Sequence, residues 1–351
     1  MQGYDAGREM MRVVALALSV LDQSPVPVGT SPADALQQTL TLARATEALG
    51  YRRYWVAEHH GTRSLAATAP EILVGAVAAT TSTIRVGSGG VLLSHYSPLK
   101  VAETFRTLSA LHPGRIDLGV GRTPGADPVT EAALQYLPGV PGDERYVDKV
   151  VDLIGFLNDR LDPGHPFEQV RAMPDGVVPP RLWMLGSSSH SGAVAAYLGQ
   201  PFAFAHFITS AFGPQVVAAY WRGFQPSETV PAPEALVAVA VMCADTDAEA
   251  ERLARSAEVW RLRPEGTERG PLLSPEEAAA RPLTDLEQSK VAQSRAATVV
   301  GGPGRVHAEL LALAESFDVD ELLVVTVCHD PSARLRSYEL LAESFPSGEG
   351  G

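Results

Sequence analysis

The chain has 351 residues, 45% hydrophobic and 20% charged, with two cysteines and a formal net charge of −13. That composition supplies ample core for a globular protein. With no cluster of Lys and Arg, it excludes nucleic acid and an anionic membrane surface as partners. Cys243 and Cys328 stand in apolar runs and make no zinc pattern, so they read as small buried hydrophobes of a reducing, cytoplasmic compartment.

Residues 1–11 read as a disordered extension, 12–345 as one domain and 346–351 as a disordered tail. The apolar run after Arg12 faintly resembles a signal peptide. It continues into Leu21-Asp22-Gln23 without a cleavage site and is too short to span a bilayer. Val13 to Leu21 is instead the first predicted strand. Ser31-Pro32 opens a helix as N-cap and first-turn proline, with Leu36, Leu40 and Ala43 on one face and Gly50 as its stop. The second strand is Tyr54 to Glu58. A helix from Pro70 to about Thr80 leads to a third strand, Ile84 to Leu93. Pro98 starts a helix with Val101, Phe105 and Leu108 on one face, ended by His112-Pro113-Gly114. The fourth strand is Ile116 to Val120.

Residues 123–145, with several Pro and Gly, predict an excursion over the end of the sheet. Val147 to Leu157 is helical, and Pro163 to Pro180 is an irregular insert. Strands follow at Leu182 to Leu185, Phe202 to Phe207 and Ala235 to Cys243. From Arg261 to Ala297 the pattern is polar and weak, and a lid is expected there. An eighth strand, Leu322 to Cys328, precedes a helix capped by Asp330-Pro331. Eight strands alternating with helices predict a (β/α)8 TIM barrel of the α/β class with insertions at its C-terminal face. An open doubly wound sheet is the runner-up.

Four strand ends carry polar or glycine-rich residues, at the end of the sheet where parallel α/β proteins present chemistry. The second strand breaks into Glu58-His59-His60 before Gly61, and His exchanges protons readily near neutral pH. His59 and His60 point to opposite faces of an extended segment, so they cannot chelate one metal together. The third strand carries Gly87-Ser88-Gly89-Gly90, which admits either a flat ring pressed on the backbone or a bulge. The fourth ends in Gly121-Arg122, a phosphate ligand or a rim ion pair. The fifth runs into Gly186-Ser187-Ser188-Ser189-His190-Ser191 before a helix, a pattern suited to an anion at a helix N-terminus. Arg122 and the serines lie on adjacent strands and could share one phosphate. Tyr96, Trp183 and Phe207 are candidate stacking residues for a substrate, with core packing as the alternative.

Other chemistries lack their parts. There is no G-x-S-x-G elbow and no Walker lysine, and none of Lys100, Lys149 and Lys290 closes a strand-like run as a Schiff-base lysine would.

Through ALGYRRYWVAEHH, RVGSGGVLLSHYSP and PGRIDLGVGR, in that order and spacing, the chain resembles the bacterial luciferase-like flavin monooxygenases from about residue 12 to 345. Val300 to Val306 looks like that family's loop before its last helix. The resemblance implies a barrel that binds reduced FMN and, with O2, inserts one oxygen atom into an organic substrate. It also implies a homodimer and a separate NAD(P)H-dependent reductase that delivers the flavin. By the same resemblance His59 matches the catalytic histidine, with Glu58 and His60 beside it. Ser88, Gly89 and Gly90 match the strand against the flavin ring; Arg122, Ser187, Ser188 and His190 match the phosphate site. His206 stands where a tryptophan flanks the flavin. The chain departs from the luciferases at Gly121, where they carry a thiol, and at Gly186, where they carry a carboxylate, so another substrate is expected. Its Arg-over-Lys and Ala bias points to secondary metabolism and an aromatic polyketide. A deazaflavin-dependent hydride-transfer relative, a non-catalytic flavin-binding protein and an unrelated barrel lyase or isomerase remain as rivals.

Overall fold

The computed structural model describes residues 16–122, 127–135, 145–262 and 270–346. Its elements alternate almost throughout: β1 (Ala17–Asp22), α1 (Pro32–Ala48), β2 (Arg53–Val56), α2 (Pro70–Thr80), β3 (Arg85–Leu92), α3 (Pro98–Leu111), β4 (Ile116–Gly121), α4 (Pro128–Gln135), α5 (Tyr146–Leu157), β5 (Arg181–Gly186), α6 (Ser189–Tyr197), β6 (Phe202–Ala205), α7 (Gly213–Gly223) and β7 (Ala235–Cys243). Then come α8 (Asp247–Arg261), α9 (Pro275–Ala280), α10 (Asp285–Arg295), β8 (Thr298–Gly301), α11 (Pro303–Phe317), β9 (Glu321–Val325) and α12 (Pro331–Ser344). A single 3-10 turn, Leu93–His95, follows β3.

Every strand pairing is parallel. The ring closes in the order β1-β2-β3-β4-β5-β6-β7-β9 and back to β1, so the barrel, not the open sheet, is the fold. Long βα units form it because local signals agree with the global pattern. Ser31 caps α1 with a reciprocal capping box to Asp34, and prolines open α1, α2 and α3.

Several boundaries differ from those expected. The first strand begins at Ala17 within the described residues; 13–15 lie outside them, as do 1–11 and nearly all of 346–351. Strand β2 ends at Val56 and β6 at Ala205, so Glu58, His206 and Phe207 stand beyond their strands. The expected lid between 261 and 297 holds two capped helices, α9 and α10, whose Ser274 and Thr284 each form capping boxes with a glutamate. Strand β8 was not foreseen. It extends β7 from outside the ring, pairing Ala240 to Cys243 with Thr298 to Gly301. Val300 to Val306 therefore ends β8 and starts α11, and two further elements follow it.

Two polar layers and an apolar one position the site. At the N-terminal end of the barrel, Arg53 bonds Glu321 at 2.8 Å and Asp117 at 3.0 Å, and Trp55 Nε1 donates to Asp117 at 3.0 Å. Above this plug, Trp55 and Trp183 meet edge to face at 5.5 Å, surrounded by Leu21, Leu236 and Leu323. Such filling makes the barrel a packed core rather than a pore. Trp183 is fully buried, with the Arg53 guanidinium 4.9 Å from its ring. It belongs to the core and not to the mouth. The third layer is the C-terminal mouth.

Candidate active site

Strand β2 delivers Glu58 two residues past its last rung, and Glu58 is 2% exposed. A carboxylate buried that deeply needs partners, and three are present. The Leu92 amide donates to Oε2 at 2.9 Å, the Tyr96 hydroxyl to Oε1 at 2.6 Å, and His60 Nε2 stands 2.7 Å from the same Oε1. The amide and the hydroxyl donate, while the direction of the His60 contact depends on which ring nitrogen carries the proton. Burial first, then the bond to Glu58, raises the Tyr96 hydroxyl well above its usual range and keeps its proton in place. The His95 ring stands edge-on to both His60, at 6.3 Å, and Tyr96, at 6.4 Å. Partly buried His59 is fixed through its backbone, whose amide donates to the Ala67 carbonyl at 2.9 Å.

The 3-10 turn between β3 and Tyr96 is tied on two sides. Lys149 of α5 donates to the Ser94 carbonyl at 2.7 Å and the Leu93 carbonyl at 3.3 Å, and burial lowers its ammonium. Ser94 donates to the Arg122 carbonyl at 3.1 Å. Neither Leu92 nor Lys149 was legible as a site residue, because a backbone amide leaves no sequence mark and a surface-like lysine looks like any other.

The glycines divide by what a side chain would meet. A Cβ at Gly89 would lie 2.6 Å from Leu21 Cδ1, and one at Gly90 2.7 Å from the Gly119 carbonyl oxygen. At Gly119 it would lie 2.3 Å from the Ser88 carbonyl oxygen. Gly90 and Gly119 are required by the crossing of β3 and β4, whose register shifts between Ser88 and Val91, and Gly89 by the side chains of Leu21 and Trp55. Ser88 is wholly buried, and its hydroxyl donates to the Gly119 carbonyl at 2.9 Å while accepting from the Gly119 amide at 3.1 Å. Its hydroxyl is therefore committed to β4. Gly121 is different: among the described residues nothing stands within 4 Å of a Cβ there.

At the neighbouring strand end, the β4–β5 register sets Val120 opposite Met184. Arg122 and Ser187 follow two and three positions past that rung. Arg122 is exposed, and Ser188 and His190 are exposed at the start of α6. Ser188 caps α6, its hydroxyl accepting from the Ser191 amide at 3.3 Å, while the remaining first-turn N–H groups keep no helical partner. Gly186 would drive a Cβ to 2.1 Å from the Ser191 hydroxyl, so a carboxylate side chain has no room at this tight turn.

Of the other candidates, Phe207 packs against the inner barrel cluster. His206 turns its ring edge-on to Phe317 of α11 at 5.6 Å, with Nδ1 buried and unpartnered, and burial lowers its basicity. The loops around the mouth are stitched together: Pro25 bridges Leu65, and Pro27 bridges Leu272, which is fully buried. Helix α4 lies close by, since a Cβ on Gly61 would meet Thr130 Oγ1 at 2.7 Å. That agrees with the expected excursion, whose residues 123–126 and 136–144 lie outside those described. Among the described residues no group of three metal-ligating side chains occurs and no helix is long and apolar enough to cross a membrane.

Comparison with known proteins agrees with this architecture. The Bacillus subtilis (strain 168) protein YceB, itself uncharacterised, is 44% identical over 93% of this chain and 99% of its own length. The N-acetyl-S-alkylcysteine monooxygenase of the same organism is 36% identical, covering 94% and 98%. The crystal structure of apo-MsnO8 superposes with a TM-score of 0.86 at 42% identity, covering 94% of this chain and 98% of that one. The family model described as luciferase-like monooxygenase matches residues 11–320, and the chain belongs to that family of monooxygenases.

Proposed function

We propose that this chain is an FMN-dependent monooxygenase, taking reduced FMN and O2 and placing one oxygen atom in a small organic substrate. The observation that carries the reading is the shape of the mouth. A proton-handling cluster (Glu58, His59 and His60) closes β2, and open space stands at Gly121. Beside it, Arg122 just past β4 would share a phosphate with Ser187, Ser188 and His190 at the start of α6. An arginine fork and free helix N–H groups suit a phosphate monoester. The ring would lie along the Ser88–Gly90 backbone.

When bound, the flavin supplies the electrons that activate O2. The protein's own share is to hold the phosphate, exclude water and move a proton at the end of β2. The stitched loops and α4 serve water exclusion. Reduced flavin would come from a separate NAD(P)H-dependent reductase, and the working unit would be a cytoplasmic homodimer. The N-acetyl-S-alkylcysteine monooxygenase at 36% identity supplies the first substrate class to test, thioethers of that type, with aromatic polyketides as the second.

The test is anaerobic titration with reduced FMN and, in parallel, a reduced deazaflavin. O2 is then admitted, with oxygen uptake and product mass followed. Saturable binding of reduced FMN and one oxygen atom added to a thioether or polyketide are expected. Binding of the deazaflavin alone would assign the chain to the hydride-transferring branch, and binding without turnover would make it a flavin carrier.

A further inference from the structure

Glu58 is the one carboxylate on which Leu92, Tyr96 and His60 all converge, and the way its two oxygens are shared orders the histidine beside it. Oε2 is taken by the Leu92 amide, and Oε1 by both Tyr96 and His60 Nε2. The carboxylate therefore cannot rotate without leaving a buried amide or a phenol unpaired. Glu58 and His60 lie two positions apart, and the 2.7 Å contact between them sets their side chains together. The His60 ring stands beside Glu58, two residues past β2, and edge-on to His95 of the 3-10 turn, whose ring is in turn edge-on to Tyr96. Glu71 of α2 also acts on Tyr96 electrostatically.

We propose that Tyr96 and the Leu92 amide are positioning groups: they pin Glu58 so that His60 is held as its Nε2–H tautomer, leaving Nδ1 as the atom that accepts and returns a proton. The proposal rests on the monooxygenase reading for its role in turnover, and it singles out His60 within the Glu58-His59-His60 cluster. The proton taken on Nδ1 comes from the bound reactant and returns to product or solvent, so the enzyme finishes the cycle unchanged. Burial raises the Tyr96 phenol, which keeps it a donor throughout. Lys149 contributes at one remove, by holding the turn that carries Tyr96 in place.

The tautomer is directly readable. Histidine ring nitrogens in the cofactor-free, 15N-labelled protein should show His60 with a protonated Nε2 and an unprotonated Nδ1, assigned by the signals that vanish in His60→Asn. In Tyr96→Phe the fixed tautomer should be lost and the two ring nitrogens should average. An unprotonated Nε2 in the wild type would overturn the proposal, and so would an unchanged tautomer in Tyr96→Phe. The wild-type spectrum decides the first point even if the variant does not fold. No flavin is present in these measurements, so their failure would leave the reduced-FMN titration untouched, and failure of that titration would leave the tautomer standing.

Discussion

The Leu92 amide and the Glu58 carboxylate meet at 2.9 Å although 34 positions separate them in the chain. That bond fastens the end of β3 to the end of β2 at the mouth. Glu58→Ala would strand the amide in a dry setting and release Tyr96 and His60 together. An unmet buried donor costs about 1–3 kcal/mol, so the variant should unfold at lower denaturant by roughly that amount. It should also lose turnover beyond what the stability loss explains. Denaturant titration and oxygen uptake under saturating reduced FMN check the two parts separately.

Arg122 is exposed, and among the described residues its guanidinium makes no hydrogen bond or ion pair; Ser94 uses only its carbonyl. Arg122→Ala should therefore leave thermal stability unchanged. If its fork holds the flavin phosphate, losing a charge-assisted bond of about 1.5–3 kcal/mol weakens binding roughly 10- to 150-fold. Fluorescence titration reads the change. Riboflavin, which has no phosphate, should bind wild type and variant alike, and a loss of affinity for both ligands would place Arg122 elsewhere in the site.

Acid stability should follow Asp22. Burial pushes its carboxyl up, but the Arg334 charge and the bonds from Thr39, Tyr54 and Arg334 outweigh that and hold it below its ordinary value. Arg334 lies 2.7 Å away and both residues are buried. A carboxyl depressed in the folded state stabilises fully above its unfolded value, about pH 4. That stabilisation is lost as pH falls through the lower folded value. Asp22→Asn leaves Arg334 buried without its counter-charge, at a cost of about 3–5 kcal/mol. The variant should be less stable at pH 7, and its stability should fall less steeply than wild type below about pH 4. Urea midpoints taken from pH 7 down to pH 3 would show parallel curves if Asp22 were not the group responsible.

How much of this was legible in the sequence depends on where each signal sits. The barrel was, because Ser31-Pro32, Pro98 and the apolar runs are local signals that agree with the global fold. The ends of β2 and β6 were not. Ala57 and Phe207 extend apolar runs in the sequence, whereas strand pairing stops where the neighbour's register stops. Strand β8 escaped because four residues, Thr298–Gly301, carry too little periodicity to stand out from a polar stretch. At the site, Glu58-His59-His60 announced itself through residue types. Its ordering by Leu92, Tyr96 and Lys149 comes from tertiary contacts that no spacing reveals. The glycine run was legible as a bulge or a ring platform, and packing accounts for Gly89, Gly90 and Gly119 without any ligand.

That last distinction gives the sharpest contrast between neighbouring positions. Gly119 and Gly121 both lie on β4, two residues apart, so their missing side chains point to the same face. At Gly119 a methyl would press on the Ser88 carbonyl at 2.3 Å and on Leu185 Cδ1 at 2.7 Å. Leu185 can turn, but the Ser88 backbone is held by the strand pairing and by its own hydroxyl's bonds to Gly119. Gly119→Ala should therefore cost about 1–3 kcal/mol, as overpacking does, and should shift the β3–β4 crossing on which the mouth is built. At Gly121 the same methyl enters open space, and Gly121→Ala should change stability by no more than about 0.5 kcal/mol. If the flavin ring occupies that space, Gly121→Ala should still lower reduced-FMN affinity while Gly121→Leu abolishes it, with both variants folded by circular dichroism. Full FMN affinity in a folded Gly121→Leu protein would mean that the open space at the end of β4 is not where the flavin binds.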